Sequence, residues 1–150
     1  MTVKTIAELV PVLQTAIGPV ILISGLGLLL LTMTNRLGRT IDRSREMHKV
    51  YDNLTDISRS QVDREIVVLW KRAQYIRAAI LLATATCLGA ATMIILLFLT
   101  SLFKIEVPLV IAAVFILSMI SLISSLVFFL LDVNLTLSAL RIELEGHRRH

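Results

Sequence analysis

Few side chains in this sequence could do chemistry, and the most promising are arginines. Arg36, Arg39 and Arg43 recur at spacings of three and four, which puts them on one face of a helix. A planar guanidinium binds phosphate or carboxylate through paired hydrogen bonds. Such a row suits anionic lipid headgroups or the inner mouth of a pore, and it serves equally as a plain stop-transfer signal. Asp132 follows directly on a long apolar run. A carboxylate at that depth needs a basic partner, for which Arg36 and Arg77 are the candidates.

Hydroxyls and small residues form the other constellations. Ser118, Ser121 and Ser125 share a helical face with Asp132, while Gly25, Thr32 and Asn35 lead along the first apolar run into the arginine row. As a polar track these six would pass ions or small solutes. Read plainly, the hydroxyls bond carbonyls of their own or a neighbouring helix. Gly18, Gly25 and Thr32 recur every seventh residue, and Ala79, Ala83, Cys87 and Ala91 every fourth. In lipid such faces let helices approach closely, within one subunit or between copies.

Covalent catalysis finds no support. The histidines are His48, His147 and His150, and no metal-ligand pair, P-loop or glycine-rich dinucleotide fingerprint occurs. The residues imply no enzyme, no metal and no cofactor. Cys87, the one cysteine, can form no internal disulfide and reads as a packing residue.

These residues must be carried by membrane-spanning helices. Three stretches lack any charge, Leu9 to Asn35, Ala78 to Phe103 and Val107 to Leu131, and each is 25 to 27 residues long. About 20 apolar residues cross a hydrocarbon core roughly 30 Å thick. The chain is 56% hydrophobic over 150 residues, more than a soluble globule of this size could hide. Spans are expected at about 19–35, 78–101 and 108–131. Before the first, residues 5–17 read as a short interfacial helix that ends at Gly18-Pro19. The first run is too long for a signal peptide and lacks a cleavage site.

Ten of the fifteen basic residues lie in 36–77, and three more lie in the C-terminal tail. Cytoplasmic flanks are enriched in Lys and Arg, so the N-terminus is expected outside and the C-terminus inside. The net charge of +4 therefore speaks for anionic headgroups on the cytoplasmic side and against nucleic acid. The sequons at Asn53 and Asn134 fall on that side and read as chance matches.

Helical periodicity continues past each span. A hairpin over 36–77 would turn near 52–56, and a C-terminal helix would cover 132–146, with Gly38 a weak point in the first arm. The expected architecture is one all-α membrane domain, a bundle of three transmembrane helices with long cytoplasmic helical extensions.

The stretch from Leu28 to Arg45, centred on Asn35-Arg36-Leu37-Gly38-Arg39, resembles an uncharacterised bacterial membrane family, the domain of unknown function numbered 2721. Arg77-Ala78-Ala79-Ile80 is the second matching piece. The resemblance implies a bacterial inner-membrane protein of about this size and brings no activity or cofactor with it. Two functions follow from the residues. One is a homo-oligomeric channel or pore for ions or small solutes, with the first span lining the axis. The other is a non-transporting scaffold or regulatory subunit, whose hairpin docks a cytoplasmic partner through Tyr51 and Trp70.

Overall fold

The computed structural model describes the backbone of residues 6–51, 56–103 and 107–147 and the side chains of 10–47, 49, 66–103 and 107–136. The described residues form three α-helices: α1 over Ile6–Tyr51, α2 over Asp56–Phe103 and α3 over Pro108–His147. At 46, 48 and 40 residues, each is about twice what a bilayer crossing needs. Within them Val10–Met47, Ile66–Phe103 and Pro108–Thr136 are long and apolar enough to span a membrane, yet only 11–17% of their most apolar windows is buried. Helices this apolar and this exposed need an apolar solvent on their outer faces.

The expected break at Gly18-Pro19 is absent, because α1 runs through both Pro11 and Pro19. Pro19 offers no N–H to the carbonyl of Thr15, which costs one helical bond. In hydrocarbon the alternative is worse, since an irregular turn would strand several backbone groups. Gly38 likewise lies inside unbroken α1. Helix α2 starts at Asp56, and residues 52–55 of the expected turn near 52–56 lie outside the described residues. Pro108 opens α3 as expected, its missing N–H costing nothing there.

The chain divides into two compact units, residues 1–30 with 82–123 and residues 31–81 with 124–150. In the first, Leu26, Ala83, Thr86, Ala90 and Ser118 are buried. Ser121 donates to the Leu82 carbonyl at 2.8 Å, and Ser118 to its own helix at Val114 at 2.8 Å. Thr86 lies 3.0 Å from the Leu82 carbonyl and 3.4 Å from that of Ser118; its single proton serves one at a time. Gly89 lets the two backbones close up, because a Cβ there would overlap the Ser118 hydroxyl. In the second unit Met33, Thr40, Leu69, Ile76, Ala79, Ser125 and Asp132 are buried, and Ser125 donates to the Ala79 carbonyl at 2.7 Å. Each interhelical bond of this kind contributes about 0.6 kcal/mol in a membrane, so close packing of small residues carries more.

The packing stripe of α2 differs from the expected one. Ala79, Ala83, Thr86 and Ala90 are buried, whereas Cys87 and Ala91 are only partly so. At 3.6 residues per turn, each step of four over-rotates by about 40°. A strict every-fourth row therefore drifts off the interface, and alternating steps of four and three hold it.

Candidate functional site

The second unit brings together Arg36, Arg72 and Asp132, charged residues at or near the ends of the apolar runs. On α1, Thr32, Arg36 and Thr40 stand four apart; on α2, Arg72 lies between Leu69 and Ile76; on α3, Asp132 and Thr136 are four apart. Steps of three and four bring each set to one helical face.

Asp132 is the centre. Its side chain is 0% exposed and faces two arginines, with Arg36 Nη2 at 3.0 Å from Oδ2 and Arg72 Nε at 3.4 Å from Oδ1. The two contacts differ in kind. Arg72 donates a hydrogen bond to Oδ1, whereas Oδ2 receives none despite its nearness to Arg36. The Arg36 guanidinium is close enough to pair by charge but out of line for a bond. It also reaches Thr136 Oγ1 at 3.5 Å and lies over the Phe129 ring, 5.3 Å from its centroid. Thr136 donates its own proton to the Asp132 carbonyl at 2.9 Å, and Thr40 donates to the Arg36 carbonyl at 3.0 Å. In the same unit Tyr75 and Phe128 pair with ring centroids 6.2 Å apart.

Two guanidinium groups against one carboxylate leave the cluster with an excess positive charge. An open cavity of about 420 Å³ adjoins it, lined by Thr32, Arg36, Arg39, Thr40, Arg72 and Thr136. Arg39 is exposed and donates its Nε–H to the Asn35 carbonyl at 3.4 Å. Three arginines thus face one space, and each guanidinium has five N–H donors. The bonds named here use only a few of them. The arrangement can hold an anion.

The structure brings Asp132 to Arg36 and takes Arg77 away: Arg77 is exposed, about 100° around α2 from buried Ile76. Its place is taken by Arg72. Arg43 is exposed and does not line the cavity. In the serine row the hydroxyls of Ser118, Ser121 and Ser125 donate to the backbone carbonyls of Val114, Leu82 and Ala79. Gly18 and Gly25 are exposed, and an added Cβ at either meets nothing within 4 Å. Thr32 lines the cavity, and Asn35 is exposed beside it in sequence. Of the expected docking pair, Trp70 is exposed, while the Tyr51 side chain lies outside the described residues. Sequence reasoning missed Arg72, Thr40 and Thr136. Arg72 was detectable, three residues after Leu69 and four before Ile76 on the apolar stripe of α2. Among the described residues no three His, Cys, Asp or Glu side chains gather as a metal site.

Three long apolar helices with a charged cluster at the edge of their apolar runs define a membrane protein. The chain belongs to the family described as "Protein of unknown function (DUF2721)", whose profile matches residues 16–142. No curated protein and no solved structure matches it.

Proposed function

We propose that this protein is a homo-oligomeric channel of a bacterial inner membrane that passes anions or small anionic solutes without catalysis. The observation that carries the reading is the cavity faced by Arg36, Arg39 and Arg72. Rings of arginine at a pore mouth favour anions, because a fixed positive charge offsets the cost of stripping their water. Assembly would use α1, whose Gly18, Gly25 and Thr32 recur every seventh residue and are exposed. The whole chain acts as one membrane domain in this reading. The helix ends rich in Lys and Arg extend into the cytoplasm and the N-terminus lies outside, as thirteen of fifteen basic residues favour.

The test is ion flux from liposomes reconstituted with the purified protein. Chloride should pass faster than potassium, and Arg39→Gln should reduce that preference. Absence of flux of either ion across a range of voltage, pH and lipid sinks the channel. The alternative, a scaffold that docks a cytoplasmic partner, draws on Trp70, 64% exposed beside exposed Val67 and Val68. Crosslinking in cells separates the two: a stoichiometric foreign partner favours the scaffold, and self-crosslinks alone favour the channel.

A further inference from the structure

We infer that the cavity beside Asp132 is a binding site for a phosphate group, held by Arg36, Arg39 and Arg72, with Asp132 as the positioning residue. The inference shares with the proposed channel only the premise that this cavity takes anions, and it names their class. Three observations point to it. Against one carboxylate, three guanidiniums leave a surplus of two positive charges around the cavity, enough to balance a phosphate monoester and to hold a diester firmly. The donors are forks, the geometry that matches phosphate oxygens in pairs. The volume of about 420 Å³ is far more than a halide would fill, and the cavity is open.

Asp132 shapes this site and does not merely neutralise it. It fixes Arg72 through Nε, which leaves the two terminal nitrogens of that guanidinium for a ligand. It holds Arg36 by charge, with no in-line bond to Oδ2, so the pair itself takes up none of the Arg36 donors, one of which reaches Thr136 Oγ1 at 3.5 Å. Thr40 and Thr136 direct their protons at backbone carbonyls, so the arginines are the donors available to an anion.

Position in the chain suggests where the phosphate comes from. Arg36 directly follows the first apolar run, Asp132 directly follows the third, and Arg72 lies six residues before the second. Leu31, Val68 and Leu131 in the same unit are exposed. A site at such an edge stands at the level of lipid phosphates. A phospholipid headgroup and a free phosphate present the same chemistry, and the experiment separates them.

Full-length protein in a neutral detergent is titrated with three probes: phosphatidylglycerol, phosphatidylcholine and inorganic phosphate. Melting temperature and lipid retention in native mass spectrometry are read together. Phosphatidylglycerol should be retained and should raise the melting temperature more than phosphatidylcholine does; the same rise with inorganic phosphate would assign the site to the free anion. Arg39→Gln removes an arginine whose Nε–H is bonded to the Asn35 carbonyl of its own helix, and should weaken binding about tenfold, the loss expected for one charge-assisted hydrogen bond. Arg72→Lys keeps the charge but loses the fork and should weaken binding similarly. Arg43→Gln removes an exposed charge outside the cavity and should leave binding unchanged. Equal losses in Arg39→Gln and Arg43→Gln would reduce the effect to surface charge and overturn the site. So would indifference to all three probes. Phosphate binding without ion flux would sink the channel and leave this site standing, whereas flux without phosphate binding would do the reverse.

Discussion

Arg72 donates its Nε–H to Asp132 across 3.4 Å, and the receiving carboxylate has no exposed surface. A buried charge of this kind costs most when one partner is removed alone. Asp132→Asn leaves two guanidinium groups facing each other, so it should be the worst single change. The arginines keep 19–24% exposure, so its cost falls near the lower end of the roughly 3–5 kcal/mol seen for broken buried pairs. Arg72→Gln and Arg36→Gln should each cost less, and each double mutant with Asp132→Asn should recover part of the loss. Arg77→Gln, on an exposed side chain, should add strictly. Melting in detergent measures the cycle, and additivity with both Arg36 and Arg72 would mean that the cluster does not hold in solution.

Topology is checked independently of stability. Reporter fusions after residues 55 and 150 should both read as cytoplasmic, and a tag at Lys104 should read as external. The charge distribution favours this arrangement, since ten basic residues between the first two apolar runs would otherwise have to cross. An external signal after residue 55 would invert the orientation.

The three helices were legible because runs of 25 residues or more without a charge admit few alternatives. Pro19 misled because its cost, decisive in water, is small beside that of an open turn in hydrocarbon. The ion pair was legible in half: an acid at the end of an apolar run calls for a cation, but which cation depends on helix phase. Arg77 and Arg72 are five residues apart, which turns them well over 90° from each other. Only the inward stripe through Leu69, Ile76 and Ala79 selects Arg72. The hydroxyls were legible only as two alternatives, of which the plain one, a bond to a carbonyl, is found for Ser118, Ser121 and Ser125. Serines at helical spacing read alike whether they meet water or a carbonyl, and the carbonyls of Leu82 and Ala79 carry no mark in the sequence.

Gly89 and Ser118 make a sharper test of packing. An added methyl at Gly89 would overlap the Ser118 hydroxyl, which is bonded to the Val114 carbonyl. Gly89→Ala should therefore cost about 1–2 kcal/mol as an overpacked contact, and Ser118→Ala should cost little by itself. Combined, they should recover part of the loss, because the obstructing oxygen is gone. A Gly89→Ala protein that melts like the parent would mean that the helices separate freely at this point.

Gly25 and its neighbour Leu26 separate folding of the subunit from assembly. Gly25 is exposed and a side chain there meets nothing within 4 Å, whereas Leu26 is 4% exposed. Leu26→Ala opens a hole inside the subunit. It should cost roughly 1–2 kcal/mol, less than in a soluble core because the removed methyls lose contacts but no shelter from water. Gly25→Leu has no such effect on one subunit. If copies meet along the face of Gly18, Gly25 and Thr32, the bulky side chain holds the backbones apart and abolishes close approach. The two variants should thus diverge: Leu26→Ala melts earlier but keeps its oligomeric mass, and Gly25→Leu retains its helical content while its mass falls to that of the single chain. Light scattering in detergent with circular dichroism on the same samples reads both quantities. An unchanged mass for Gly25→Leu would remove α1 from the interface, and with it the argument that this helix lines an axis.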